Sequence, residues 1–320
     1  MRQATSLRRR RTLEFCAAHE KKWLRDGRAS SANSGVSAPD AYKIVQLRNG
    51  SHSVHSVEHG ETMHPGLGPA EEALELYVRQ PRLVERQREL DGEFVIWDVG
   101  LGAAANALTA LRASRDVSNR LRLVSFEHTL EPLRFALASS QALGYFDGYE
   151  LVVERLLAEG RVEFQNGRQA VAWELHVGDF PALLRSAVAQ QLARPHAIIF
   201  DPWSPAKNPA MWCAPVFAGL FQLLDPSRPC VMPTYSRSTM LRVALLLAGF
   251  YVGSGQATGR KEETTIAANS LVLVPSPLGL DWLARAQRSG SAEPLWEPVY
   301  RQAPLKPETF ERLRKHPQFN

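Results

Sequence analysis

F-V-I-W-D-V-G-L-G-A-A-A-N-A-L, residues 94–108, carries an apolar run into two glycines and then into alanine and leucine. Phe94–Val99 reads as a strand buried on both faces, and Ala103–Arg112 as a helix. Between them Gly100 and Gly102 allow a sharp turn and a close backbone approach to a ligand, with free helix N–H groups behind. Ala105 stands where the dinucleotide fingerprint needs its third glycine, so the turn does not by itself call for a nicotinamide cofactor.

On the C-terminal side strands and helices alternate. Leu121–Phe126 is expected as a strand ending on Glu127, followed by a helix of about a dozen residues from Glu131. Residues 144–167 look irregular, apart from a short helix at Leu151–Ala158. Ala172–Val177 is a third strand, closed by Gly178-Asp179, and Phe180–Leu192 a helix. Ala197–Phe200 is a fourth strand, ending on Asp201. Helices Val216–Leu224 and Thr239–Ala248 flank a strand at Cys230–Thr234. Further strands are expected near Phe250–Ser254, Thr265–Ala268 and Leu271–Val274. This spacing implies βαβ units and a mostly parallel sheet.

Asp98, Glu127, Asp179 and Asp201 then end four strands on one edge, where open parallel sheets bind ligands. Glu127 follows Gly102 by 25 residues, a position suited to the two ribose hydroxyls of an adenosine; Asp179 would reach the adenine amino group. Beyond Asp201 the chain reads P-W-S-P-A-K-N-P-A-M-W. Pro202 cannot continue a ladder, so Asp201 and Trp203 are set at the strand's end in a proline-stiffened turn. Trp212 reads as a core residue.

Upstream, Tyr42–Leu47 and Ser53–Val57 are expected to form a hairpin through Arg48-Asn49-Gly50-Ser51. The loop H-G-E-T-M-H-P-G-L-G-P follows, then a helix at Ala70–Val78 with Leu74, Tyr77 and Val78 on one face. The chain thus divides into an arm and linker (1–40), an N-terminal extension (41–92), a cofactor-binding domain (93–275) and a C-terminal tail (276–320). Residues 1–28 hold nine Lys/Arg against Glu14, Glu20 and Asp26, a surplus of six, which leaves residues 29–320 at −1 within a total of +5. Such an arm can attract phosphate without reading sequence. Its start lacks acids, as transit peptides do, but no apolar signal core follows, and a natural extension is the better reading.

Cys16, Cys213 and Cys230 make neither a disulfide frame nor a zinc site, which fits a reducing cytoplasm. Val243–Val252, the longest apolar stretch, is too short to span a membrane, and no membrane association is expected. His52, His55, His59 and His64 match no metal spacing, and no metal is expected. Glu61 and His64 are expected near a substrate amine or the cofactor, and Lys207 and Lys261 near phosphate.

Acids at the strand ends suit a cationic sulfonium and a neutral adenosine, the layout seen in class I S-adenosylmethionine methyltransferases. Asp201-Pro202-Trp203 is similar to the Asp/Asn-Pro-Pro-aromatic turn of amino-group methyltransferases. More specifically, D-P-W-S-P-A-K-N-P-A-M-W resembles the methyltransferase half of the MnmC family of tRNA-modifying enzymes. So do Gly102, Asn106 and Leu108 in the glycine turn, the late segment Gly259-Arg260-Lys261-Glu262, and the opening G-E-T-M-H-P with Glu71-Glu72-Ala73. The last resembles the family's stand-alone branch, and no second glycine fingerprint marks a fused flavin oxidase.

The resemblance covers residues 42–275 and departs at Ala104-Ala105 and Glu263-Thr264-Thr265. It implies a Rossmann-like α/β domain with a mostly parallel seven-stranded sheet, plus a small N-terminal hairpin and helix. It implies S-adenosyl-L-methionine as cofactor, held by Asp98, Gly100, Gly102, Asn106, Glu127, Asp179 and Asp201. Asp201 and Trp203 would be catalytic, Asp201 as a positioner more than a base. The reaction implied is N-methylation of 5-aminomethyl-2-thiouridine at the tRNA wobble position, with upstream tRNA-modifying enzymes supplying the amine. A small-amine methyltransferase or aminopropyltransferase, and a non-catalytic RNA-binding relative, remain open on the residues alone.

Overall fold

A computed structural model describes residues 41–257 and 262–320. The basic arm, Cys16, Gly259, Arg260 and Lys261 lie outside them.

The main sheet has eight strands. In chain order they are β4 (Phe94–Val99), β5 (Leu121–Glu127), β6 (Arg161–Asn166), β7 (Gln169–Val177), β8 (Ala197–Phe200), β9 (Val231–Thr234), β10 (Tyr251–Gly255) and β11 (Thr264–Ala268). Three short strands, β1 (Tyr42–Gln46), β2 (His52–Ser56) and β3 (Glu61–Thr62), form a separate antiparallel sheet. The main order is β10-β11-β9-β8-β4-β5-β7-β6. The five central strands are parallel and both flanks antiparallel.

The chain leaves β4 toward β5 and β7, then returns to place β8 and β9 on β4's other side. The reversal falls between β4 and β8, where neighbouring crossovers diverge and leave a crevice beyond the strand ends. The glycine turn and the Asp201 turn both stand at that crevice.

Every residue of β4 and of β8 is buried. Alternation divides β4 between two cores: Val95, Trp97 and Val99 face one, Phe94 and Ile96 the other. Helices Ala214–Gln222 and Thr239–Ala248 cover the first face. Helix Ala105–Ser114 covers the second, together with Pro69–Ala73 and its wider-wound continuation Leu74–Arg79.

The sheet has eight strands and not seven because β6 lies in the stretch read as irregular. Its R-V-E-F-Q-N alternates exposed charge with apolar residues, the pattern of an edge strand. Asn166-Gly167, with Gly167 at φ +59°, turns it back into β7. Leu271–Leu273 is a 3-10 turn, not a strand, and Val272 is 88% exposed. Phe180–Leu192 divides into helices Phe180–Leu184 and Ala187–Gln191. The segment after residue 275 packs on the sheet through Leu278, Trp282, Leu283, Leu295 and Leu313. Gln318 donates to the Val252 carbonyl at 2.7 Å and accepts from the Val252 N–H at 2.7 Å, so a side chain satisfies the outer edge of β10.

Candidate active site

A cleft of about 690 Å³ opens over the crevice between β4 and β8. Its floor is made by strand ends. Gly100 adopts φ +91°, and a Cβ there would stand 2.9 Å from the Asp201 carbonyl oxygen. The two turns can touch only because this residue has no side chain. Gly102 is also left-handed, at φ +52°. Its N–H donates to Glu127 Oε2 at 2.7 Å, while the His128 N–H donates to Oε1 at 2.7 Å. Burial raises the Glu127 pKa, and these backbone donors oppose the rise by favouring the carboxylate. Asp179 caps helix Phe180–Leu184, accepting from the Ala182 N–H at 2.6 Å.

Asp201 follows β8. Its Oδ2 accepts from Asn106 Nδ2 at 2.7 Å and lies 3.6 Å from His64 Nε2. Burial raises its pKa as well; His64 and the Asn106 hydrogen bond push the other way. Trp203 is fixed on both sides. Its carbonyl accepts from Trp212 Nε1 at 2.8 Å, and its ring stacks on His59 at 4.6 Å between centroids, with the planes 14° apart. The Pro202 carbonyl accepts from the Tyr235 hydroxyl at 3.0 Å.

The roof comes from the N-terminal extension. Glu61 in β3 accepts from Ser204 Oγ at 2.5 Å and the Ser204 N–H at 3.3 Å, tying the small sheet to the Asp201 turn across 143 residues. His64 has φ +47°, a left-handed conformation that costs a non-glycine residue, and its side chain is only 11% exposed. Met63 lies over Gly102.

Of the residues singled out in the sequence, Gly100, Gly102, Asn106, Glu127, Asp179, Asp201, Trp203, Glu61, His64 and Lys207 all line this one cleft. Asp98 does not. It sits one position inside the end of β4, fully buried, with Oδ2 accepting from Ser125 Oγ at 2.8 Å and Oδ1 unpartnered. Burial lifts its pKa to about 7. The alternation of β4 turns this side chain toward the same face as Phe94 and Ile96, so the floor presents three strand-end acids where four were expected. Lys261 lies outside the described residues.

Sequence reading missed Tyr42, Met63, Glu72 and Tyr235, which also line the cleft. Met63 and Glu72 stood in quoted motifs, though neither was assigned to the site; Tyr42 and Tyr235 carry no local signal. Among the described residues no three His, Cys, Asp or Glu groups converge as a metal site, and no helix is long and apolar enough to cross a membrane. His55 pairs with Thr62 at 2.8 Å, and His59 with Ser56 at 3.0 Å.

Six acids line the cleft (Glu58, Glu61, Glu72, Glu127, Asp179 and Asp201) against a single lysine, Lys207. Such a lining suits cations and disfavours free phosphate. A family described as S-adenosyl-L-methionine-dependent methyltransferase matches residues 148–270. The chain is an S-adenosylmethionine-dependent methyltransferase.

The methyltransferase is 30% identical over 253 residues to the tRNA 5-methylaminomethyl-2-thiouridine biosynthesis bifunctional protein MnmC of Aeromonas hydrophila, a match over 73% of this chain and 36% of that protein. It is 28% identical to the protein of the same name from Ectopseudomonas mendocina, over 73% of this chain and 37% of that one. It therefore spans little more than a third of those relatives. The crystal structure of MNMC2 from Aquifex aeolicus has the same fold, with a TM-score of 0.63 at 22% identity over 92% of this chain and 89% of that one. S-adenosylmethionine is the methyltransferase's cofactor. The acidic, glycine-floored cleft fits a molecule with a sulfonium centre and a neutral nucleoside.

Proposed function

We propose that this methyltransferase acts on the exocyclic amine of 5-aminomethyl-2-thiouridine at the wobble position of a tRNA anticodon, in the cytoplasm. One observation carries the reading. The Asp201-Pro202-Trp203-Ser204 turn opens into an acidic cleft at the sheet's reversal point, with the roof groups Glu61 and His64 beside it. The similarity to MnmC proteins supports the same substrate.

The cofactor would lie along the floor. Glu127 would accept from its ribose hydroxyls, since both carboxylate oxygens keep a lone pair beyond the backbone N–H groups that fix them. Asp179 would face the adenine amino group, and Gly100 and Gly102 would let the backbone approach the methionine portion. When bound, the cofactor supplies an electrophilic methyl group on a sulfonium centre.

Positive charge would then grow on the attacking nitrogen. The Asp201 carboxylate and the Trp203 ring face would stabilise it, and the hydrogen bonds that fix both groups remove most of their reorganisation cost. Lys207 would meet anticodon phosphate at the cleft mouth, with Lys261 as a second contact. Another enzyme must install the aminomethyl group first.

The test is incubation of tRNA bearing 5-aminomethyl-2-thiouridine with protein and methyl-labelled cofactor, followed by mass spectrometry of the nucleosides. Label in 5-methylaminomethyl-2-thiouridine is the expected result. Label only in free amines offered in competition would mark a small-amine enzyme instead, and tRNA binding without transfer a non-catalytic relative.

A further inference from the structure

We propose that His64 is the general base of the reaction, accepting a proton from the substrate ammonium that Asp201 holds; this rests on the amine-methylation reading above. A primary aminomethyl group is mostly protonated near neutral pH and then has no lone pair for attack. Asp201 alone is a poor acceptor, because a carboxylate is far less basic than an amine. Histidine is the side chain whose basicity lies nearest working pH.

The geometry supplies that group. His64 Nε2 stands 3.6 Å from Asp201 Oδ2, beyond a formed hydrogen bond. An ammonium held by the carboxylate therefore meets a ring nitrogen within proton-transfer reach. The other partner of Oδ2, Asn106 Nδ2, is a neutral donor that cannot take a proton.

His64 is aimed there by a left-handed backbone at φ +47°, a conformation unfavourable for a non-glycine residue. The segment is pinned on both sides: Glu61 binds Ser204, and the Met63 carbonyl accepts from the Ser53 hydroxyl. Strain retained at a residue facing the reacting carboxylate marks a functional placement.

The step balances. His64 Nε2 takes one N–H proton from the ammonium and becomes imidazolium, paired with the Asp201 carboxylate, and the amine keeps its freed lone pair. That pair would form the new N–C bond as the C–S bond breaks and its electrons stay on sulfur, which becomes a neutral thioether. The product leaves as a secondary ammonium, and His64 returns its proton to water.

Glu61, Glu72, Tyr77, Asp98, Tyr235 and Lys207 are further titratable groups around the pair. Burial raises both tyrosines well above their ordinary range, so neither acts as a base near neutrality.

The experiment uses the full chain, an anticodon stem-loop carrying 5-aminomethyl-2-thiouridine, and two variants. Asparagine tolerates left-handed backbone, so His64→Asn keeps the turn and removes the base; His64→Gly removes the strain as well. Single-turnover rates for both should fall by about 10²-fold near pH 7, with cofactor affinity unchanged by calorimetry. The deficit should shrink by about tenfold per pH unit toward the amine's own pKa, because more substrate then arrives deprotonated. Added imidazole should restore part of the His64→Gly rate.

A deficit constant with pH and unmoved by imidazole would overturn the proposal and leave His64 a packing residue; a wild-type rate in His64→Asn would do the same. Failure of the unmutated protein to methylate the stem-loop is a separate outcome, which removes the substrate assignment itself.

Discussion

The floor and the roof of the cleft are built differently. On the floor Glu127 and Asp179 are held by backbone N–H groups, and the Asp201 carboxylate by the Asn106 amide. Glu127 takes the Gly102 and His128 N–H groups, Asp179 takes the Ala182 N–H, and Gly100 packs on Asp201. On the roof, Glu61 and His64 come from an extension with its own small sheet, and they meet Ser204 and Asp201 only because that sheet docks on the main domain. A floor held by backbone suits a cofactor common to many reactions. A roof held by side-chain docking suits the selection and deprotonation of one substrate.

That contrast can be broken by substitution. The largest effect should come from Asp201→Asn, which keeps the shape but removes the charge facing the developing ammonium. Its single-turnover rate should drop by about 10²-fold or more, while cofactor affinity measured by calorimetry stays within about twofold. Equal losses in both would show that Asp201 holds the cofactor as Glu127 does.

Glu127→Ala should do the reverse. It removes an acceptor whose charge-assisted bonds are worth about 1.5–3 kcal/mol each, so cofactor should bind at least about tenfold more weakly. Methyl transfer at saturating cofactor should remain near wild type, and circular dichroism should show an intact fold.

Glu61→Gln sharpens the comparison further. The amide can still accept from Ser204, so docking weakens without being lost. A rate loss of about fivefold at unchanged cofactor affinity is expected. A weakened affinity would show that the roof also holds cofactor.

The smallest effect concerns Asp98, buried beneath the floor. Its folded pKa of about 7 lies above the ordinary carboxylate value near 3.9 in the unfolded chain. The folded state therefore binds the extra proton between those values, and the Asp98 contribution to stability is present below about pH 4 and lost as pH rises toward 7. Asp98→Asn mimics the protonated acid. In denaturant titrations it should gain about 1 kcal/mol or more on wild type between about pH 5 and pH 7.5. A constant difference across that range would mean that Asp98 is charged throughout.

Much of this is legible in the sequence. The parallel core, the two turns flanking the reversal point and the strand-end acids Glu127, Asp179 and Asp201 follow from local rules. Apolar runs of strand length make strands, glycines permit left-handed turns, and proline ends a ladder. Strand β6 was missed although Asn166-Gly167 carries the same hairpin signal as Asn49-Gly50, because its exposed alternation resembles a loop.

The chemistry at each strand end is set locally, since one residue and its neighbours decide where a chain turns. Tertiary structure alone decided which of those groups share a cleft. It turned Asp98 into the sheet face by strand parity, brought Gln318 to the edge of β10, and set His64 against Asp201 through a docked hairpin. Such pairings join residues from tens to more than a hundred positions apart, and their energy lies in packing between elements, which no local pattern records.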